Sequence, residues 1–213
     1  MFTGLIEEIG TVAKVEKTQL GATFVINCNK ILEDIKIGAS IAINGACHTV
    51  TDFTQNSITV NTSNETLNIS NFSQLKQNDT VNLERAMTLS SRLDGHLVSG
   101  HIDGTAEFIE KKSDGFSYKM FFKLKNELRK YLIYKGSITI NGISLTIASI
   151  ENNIFSVAII PHTMQNTNLS SLKTGNIVNI ETDIIAKYIE NFSHVSNNTT
   201  NITKAFLEEN GFI

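Results

Sequence analysis

The chain has 213 residues, of which 41% are hydrophobic and 18% charged, and its formal net charge is −3. This is ordinary globular composition. With no basic block, neither nucleic acid nor an anionic membrane is expected as a partner. No apolar run approaches the roughly 18 residues that span a bilayer. The opening Met1-Phe-Thr-Gly-Leu-Ile-Glu-Glu lacks the basic flank and long apolar core of a signal peptide. Two cysteines, Cys28 and Cys47, make neither a disulfide framework nor a zinc site. A cytoplasmic location follows as the expectation. The sequons at Asn68 and Asn197 are read as chance matches in an Asn-rich chain.

In chain order the pattern is mostly strand. Residues 23–27, 40–43, 46–53, 57–61 and 80–83 are short, β-branched runs between turn residues, with a short helix over 68–75. The second half gives strands over 119–124, 136–140, 143–150, 154–159 and 177–180, and a short helix over 167–172. Asn44-Gly45 and Asn141-Gly142 are tight-turn signals that place matching hairpins in the two halves. Residues 184–192 predict a helix, with Ile184, Ile185, Tyr188, Ile189 and Phe192 on one stripe. A polar stretch over 196–200 interrupts it, and a last turn or two over 203–210 stops at Gly211. An apolar stripe on an appended helix could pack on its own barrels or bind another copy of the chain, and association with a copy is the preferred reading.

The two halves repeat one another. Ser40-Ile-Ala-Ile-Asn-Gly-Ala-Cys-His-Thr-Val50 returns as Ser137-Ile-Thr-Ile-Asn-Gly-Ile-Ser-Leu-Thr-Ile147, and Val81-Asn-Leu-Glu84 returns as Val178-Asn-Ile-Glu181, always 97 positions later. Thr3-Gly4 matches Ser99-Gly100 and Gly10-Thr11 matches Gly104-Thr105 at slightly shorter offsets. Such a period exceeds a solenoid unit and suits a small domain. Many short, evenly spaced strands in units of this size predict an all-β fold of two similar antiparallel barrels in tandem. The expected domains are 1–95 and 96–187, with a helical tail over 188–213.

Alternation assigns faces. Ile143, Leu145 and Ile147 point into the second barrel, and Ser144 and Thr146 point out. By the same register Ala46, His48 and Val50 face into the first barrel, and Cys47 and Thr49 face out. Cys47 and Ser144 thus occupy equivalent places on equivalent walls. The segment from Gly95 to Gly104 is the densest polar and glycine cluster, with His96 and His101 five apart, which would not share one face of a strand. No ligand group for a metal is completed there. His101 replaces Leu5 of the first repeat, so a titratable side chain stands opposite an apolar one. It reads either as a proton carrier or as a linker histidine held by backbone bonds. Cys47 reads either as a pocket residue or as a small hydrophobe. Lys135, with Ile37 opposite it, could meet a ligand's negative charge or simply be solvated. Pro161, the single proline, suits a loop that presents backbone groups to a ligand, or an ordinary strand end. His48, His162 and His194 read as structural. No G-x-S-x-G, G-x-G-x-x-G or P-loop occurs.

Taken together, Met1-Phe-Thr-Gly4, Asn44-Gly-x-Cys47-x-Thr-Val, Val81 to Ala86, Gly95 to Gly104, Lys135-Gly-Ser-Ile, Gly142-Ile-Ser-Leu-Thr146, Ile160-Pro-His-Thr163 and Val178-Asn-Ile-Glu181 follow one pattern in order and spacing. Over essentially its whole length the chain resembles the riboflavin synthases, trimeric enzymes built from two lumazine-binding barrels. The resemblance implies six-stranded Greek-key barrels, a C-terminal helix that helps hold a homotrimer, and no metal or other cofactor. It implies a transferase that dismutates two molecules of 6,7-dimethyl-8-ribityllumazine into riboflavin and a ribitylamino-pyrimidinedione. Gly4, Leu5 and Ile6, with Cys47, His48 and Thr49, would line a first-barrel pocket. Asn61, Thr62, Ser63, Asn64, Glu65 and Thr66 would join them there, with Gly100, His101 and Ile102. Lys135, Ser144, Leu145 and Thr146 would line a second, with Ala158, Ile159, Ile160, Pro161, His162 and Thr163. The working site would form between the first barrel of one subunit and the second of a neighbour, with Cys47, His101 and Ser144 nearest the reacting carbons. Two residues depart from the family pattern: His48, where Leu is usual, and Asn141, where some members carry Asp. A non-catalytic lumazine- or flavin-binding protein of the same fold is the alternative. A flavin-dependent oxidoreductase would need a nicotinamide-binding α/β domain, for which the chain has no segment.

Overall fold

The computed structural model describes residues 1–196 and 204–212. Alternating apolar side chains turn into two closed six-stranded antiparallel barrels. The first comprises β1 (Glu8–Thr18), β2 (Gly21–Asn27), β3 (Ser40–Ile43), β4 (Ala46–Phe53), β5 (Ser57–Ser63) and β6 (Thr80–Arg85), in the spatial order β1-β2-β5-β4-β3-β6. The second comprises β7 (Gly104–Asp114), β8 (Ser117–Leu124), β9 (Ser137–Ile140), β10 (Ile143–Glu151), β11 (Ile154–Ile159) and β12 (Ile177–Thr182), ordered β10-β11-β8-β7-β12-β9. Each barrel encloses its own core. Phe24, Ile26, Ile41, Ile58 and Leu83 fill the first, and Phe122, Ile138, Ile147, Phe155 and Ile180 the second, all essentially without solvent contact. Each such side chain contributes about 1.5–3 kcal/mol on burial.

The ten strands legible as hydrophobic runs lack β1 and β7. Both are 11 residues long, and their outer halves, such as Lys14–Thr18, run out of the barrel with exposed, charged side chains. The apolar signal is confined to a few inward positions, so composition hides the strand. The short helices also sit earlier than expected. α1 (Asn64–Ile69) and α2 (Pro161–Gln165) each precede a 3-10 turn, at Asn71–Gln74 and Asn168–Ser171. Pro161 therefore opens a helix at its first position, where a missing N–H costs nothing. In the first repeat Ser63 does the equivalent work, its hydroxyl accepting from the amide of Thr66.

α3 (Ile184–Ser196) leaves the second barrel, and α4 (Lys204–Glu209) ends at Gly211 in a left-handed conformation, φ 73°. The break expected over 196–200 falls largely outside the described residues, as do Thr203 and the side chain of His194. No helix among the described residues is long and apolar enough to cross a membrane.

A pseudo-two-fold axis relates the barrels. Phe2 and Val98 exchange backbone hydrogen bonds across it, and Gly45 and Gly142 meet back to back there, where a Cβ on either would lie within 2.8 Å of the other's backbone nitrogen. Around them six buried asparagines form a ladder between the barrels. Asn82 Nδ2 donates to the carbonyl of Asn141, and Asn179 Nδ2 to that of Asn44, both at 2.9 Å. The amides of Asn168 and Asn71 donate to Asn82 Oδ1 and Asn179 Oδ1. Asn141, singled out above as a departure, belongs to this seam: its Oδ1 accepts from the amide of Asn179 at 2.8 Å. The hydrogen bonds also correct two repeat assignments. Gly38 and Lys135 make equivalent turn bonds, to Val50 and Ile147, so Lys135 stands opposite Gly38 and not Ile37. Gly10 pairs with Val81 as Ala106 pairs with Val178, so Gly10 matches Ala106 and not Gly104.

Candidate functional site

Each barrel has the same opening. β4 pairs with β5 only from Val50 onward, while its outer half, Ala46–Thr49, pairs with β3 alone. The end of β5, from Asn61 to Ser63, pairs only with β2. β10 and β11 part in the same way beyond Ile147 and Val157. A sheet that splits leaves unpaired backbone groups beside outward-facing side chains, which suits a ligand. In the first barrel the split is flanked by exposed Cys47 and Thr49 on one side and exposed Asn61, Ser63, Asn64 and Glu65 on the other. In the second it is flanked by half-buried Ser144 and exposed Thr146, facing exposed Ala158, Ile160, Pro161 and His162 and half-buried Thr163. Thr62, Leu145, Ile102 and Ile159 are buried, so their side chains shape these walls from inside.

The peptide that precedes each barrel completes the other barrel's wall. The amide of Cys47 donates to the carbonyl of Gly100, and the amide of Ser144 to that of Gly4, both at 2.8 Å. Ile102 packs in the first core and Ile6 against the second. Gly4, Leu5 and Ile6 therefore stand on the second-barrel wall, not the first, because the segment swaps sides at the pseudo-two-fold axis. Gly100, His101 and Ile102 stand on the first. Gly4 and Gly100 have φ of 77° and 82°, and a Cβ there would sit 2.6 Å from Ser144 Cβ and 2.7 Å from Cys47 Cβ. Only glycine permits both the backbone and the approach. A buried glutamate fixes each crossing. Glu84 accepts from the amide and hydroxyl of Thr3 and the amide of Gly4, and Glu181 accepts from the same groups of Ser99 and Gly100. Burial pushes the Glu84 carboxyl above its ordinary 4.5, though the bonds from Thr3 and Gly4 oppose it.

The two walls differ in chemistry. Ser144 Oγ lies 2.6 Å from His96 Nδ1, and His96 Nε2 lies 3.1 Å from Thr139 Oγ1. Burial holds the half-buried His96 below its ordinary 6.5, against the opposing charge of Asp183. His96 lies two residues before Val98, which pairs with Phe2 at the pseudo-two-fold axis. Sequence reasoning singled out His101 and left His96 without a role, because local pattern does not show where the junction between the repeats sends each histidine. The segment is irregular, and its two histidines serve different barrels: His96 meets Ser144, while His101, exposed, follows the glycine that touches Cys47. The signal was present as a second histidine inside the glycine-rich junction. His48 turns its ring into the first core, as alternation requires. Lys135 is exposed in a turn, φ 65°.

The family model of the lumazine binding domain matches this chain twice, over residues 3–86 and 99–183. The chain is 48% identical to the riboflavin synthase of Bacillus subtilis and 46% identical to that of Actinobacillus pleuropneumoniae, covering 100% of both chains in each case. It is 43% identical to the Schizosaccharomyces pombe riboflavin synthase over 89% of this chain and 92% of that one. The crystal structure of LumP complexed with riboflavin superposes with a TM-score of 0.80 at 27% identity, covering 85% of this chain and 99% of that one. LumP complexed with 6,7-dimethyl-8-(1'-D-ribityl) lumazine gives 0.78 at 26% identity, with the same coverage. Two barrels matched twice by the lumazine binding domain, and over the full chain by the Bacillus subtilis and Actinobacillus pleuropneumoniae riboflavin synthases, place the chain in the riboflavin synthase family.

Proposed function

We infer that the protein converts two molecules of 6,7-dimethyl-8-ribityllumazine into riboflavin and 5-amino-6-(D-ribitylamino)uracil by transfer of a four-carbon unit. One lumazine loses a proton from its C7 methyl group, and a nucleophile adds to C7 of the other. The carbanion attacks, and eliminations release both products. The atoms of two substrates equal those of the two products, so no external oxidant enters. The observation that carries this reading is the pair of equivalent walls with unequal equipment: Cys47 on one, Ser144 with His96 on the other. Two identical molecules must be treated differently, and these walls do so.

In this reading the neutral His96 accepts the Ser144 proton at Nδ1 while its Nε2–H is held by Thr139, which makes Ser144 a proton relay in the second barrel. Cys47 stands at the electrophilic carbon in the first, with His101 beside it. Both walls are open in the single chain, and α3 exposes Ile185, Tyr188, Ile189 and Phe192, each at least 56% accessible. Such a stripe suits assembly with other copies. A homotrimer in which the first barrel of one subunit faces the second barrel of the next would close the site. A cytoplasmic location fits a biosynthetic enzyme of this kind.

Mixing the purified protein with the lumazine alone tests the function. Riboflavin and the pyrimidinedione should appear in equal amounts. Tight binding with no riboflavin formed would instead make the protein a non-catalytic lumazine- or flavin-binding protein.

A further inference from the structure

His48 and Thr62 are buried, at 5% and 4% accessibility, and their side chains meet across the split between β4 and β5. His48 Nδ1 lies 2.9 Å from the carbonyl of Ala46, and Nε2 lies 2.9 Å from Thr62 Oγ1. A carbonyl only accepts, so Nδ1 carries the proton, and the Thr62 hydroxyl donates to Nε2. The imidazole also lies against the Phe72 ring, with centroids 4.8 Å apart. Every polar atom of the ring is therefore satisfied, and its orientation is set on both sides.

What makes this pair more than core packing is its place. The backbone ladder between β4 and β5 is absent at this level. His48 lies between Cys47 and Thr49, and Thr62 lies between Asn61 and Ser63, so each partner is flanked by outward residues of one wall. The second barrel has the same split, but the matching positions are Leu145 and Ile159, both apolar and buried. A hydrogen bond has a defined length and direction, whereas apolar contact between two side chains tolerates sliding. We propose that the His48–Thr62 hydrogen bond sets the width of the first-barrel site, making these two positioning residues that give that site a tighter, more selective grip on its ligand than the second.

This rests on the functional reading only for the identity of the ligand. The test uses 13C-labelled riboflavin, a product that does not turn over alone, and NMR of the bound ligand in the full-length protein. The resonance displaced by Cys47→Ser identifies the first site. The variants are His48→Leu, Thr62→Val and the double variant, which gives the first barrel an apolar pair like that of the second. His48→Leu leaves the Thr62 hydroxyl buried without its acceptor and is expected to lower the melting temperature. The double variant is expected to recover most of that loss while first-site affinity stays down by about tenfold and second-site affinity is unchanged. Wild-type first-site affinity in the double variant would overturn the proposal, as would equal weakening of both sites. A wild-type protein that binds riboflavin but makes none from the lumazine sinks the enzymatic reading while the binding comparison still decides this one. A wild-type protein that binds no riboflavin overturns both.

Discussion

The amide of Cys47 in the first barrel donates to the carbonyl of Gly100, which opens the second repeat, and Ser144 makes the same bond to Gly4. Each wall is therefore a product of both repeats. A duplicated domain of this kind is not two independent binding modules. Neither repeat contains all the backbone of its own wall, and the glutamates that fix the crossings, Glu84 and Glu181, come from the last strand of each barrel.

Gly100→Ala is the sharpest probe of this exchange. The new methyl group would meet Cys47 Cβ at 2.7 Å with φ at 82°. The strained backbone alone costs about 1–3 kcal/mol. Stability by urea titration should fall by at least that amount, and ligand binding at the first site should fall further than at the second. A variant with wild-type stability would mean that the segment is not held against β4.

His96→Gln should reduce turnover by about 10²–10⁴-fold with little loss of ligand affinity, if His96 moves the Ser144 proton. The pH–rate profile carries the same information. Burial places the His96 pKa below 6.5, so the neutral base persists at neutral pH and the acid limb of the profile should lie below 6.5. A limb at or above neutral pH would exclude His96 as the group responsible.

His48 and His96 also link folding to pH. Burial depresses both below their ordinary 6.5. In the unfolded chain they bind protons first as pH falls. Stability should therefore be full above about 6.5 and decline as pH drops from there toward the folded-state values. The denaturation midpoint measured from pH 7.5 to 5 should show this slope, and the His48→Leu/Thr62→Val variant should flatten it.

Asn82→Ala removes a side chain with no solvent exposure that donates to Asn141 and Asn168 and accepts from the Asn168 amide. Groups left unpaired in the seam should cost about 3 kcal/mol. Calorimetry should show the two barrels uncoupling into separate transitions if the ladder is what joins them.

Ile189→Asp places a charge in the exposed stripe of α3, where Ile189 is 64% accessible. Sedimentation velocity should show smaller species, and activity should fall with dilution. A change in neither would mean that this face does not hold the assembly.

Much of this protein was legible in its residues. Alternation in Ala46-Cys-His-Thr-Val50 and Ile143-Ser-Leu-Thr-Ile147 fixes which side chains leave the barrel, because period two is a local property of an extended chain. The repeat at 97 positions determines that Cys47 and Ser144 are equivalent. What local pattern could not hold is which segments meet. That Gly4 serves Ser144 and Gly100 serves Cys47 depends on a crossing at the pseudo-two-fold axis, between residues some 50 to 140 positions apart. The partnership of His96 with Ser144 follows from the same crossing, and that of His48 with Thr62 from the closure of the first barrel. Periodicity records the face a side chain points to, and only the closed, paired barrels decide what stands opposite it.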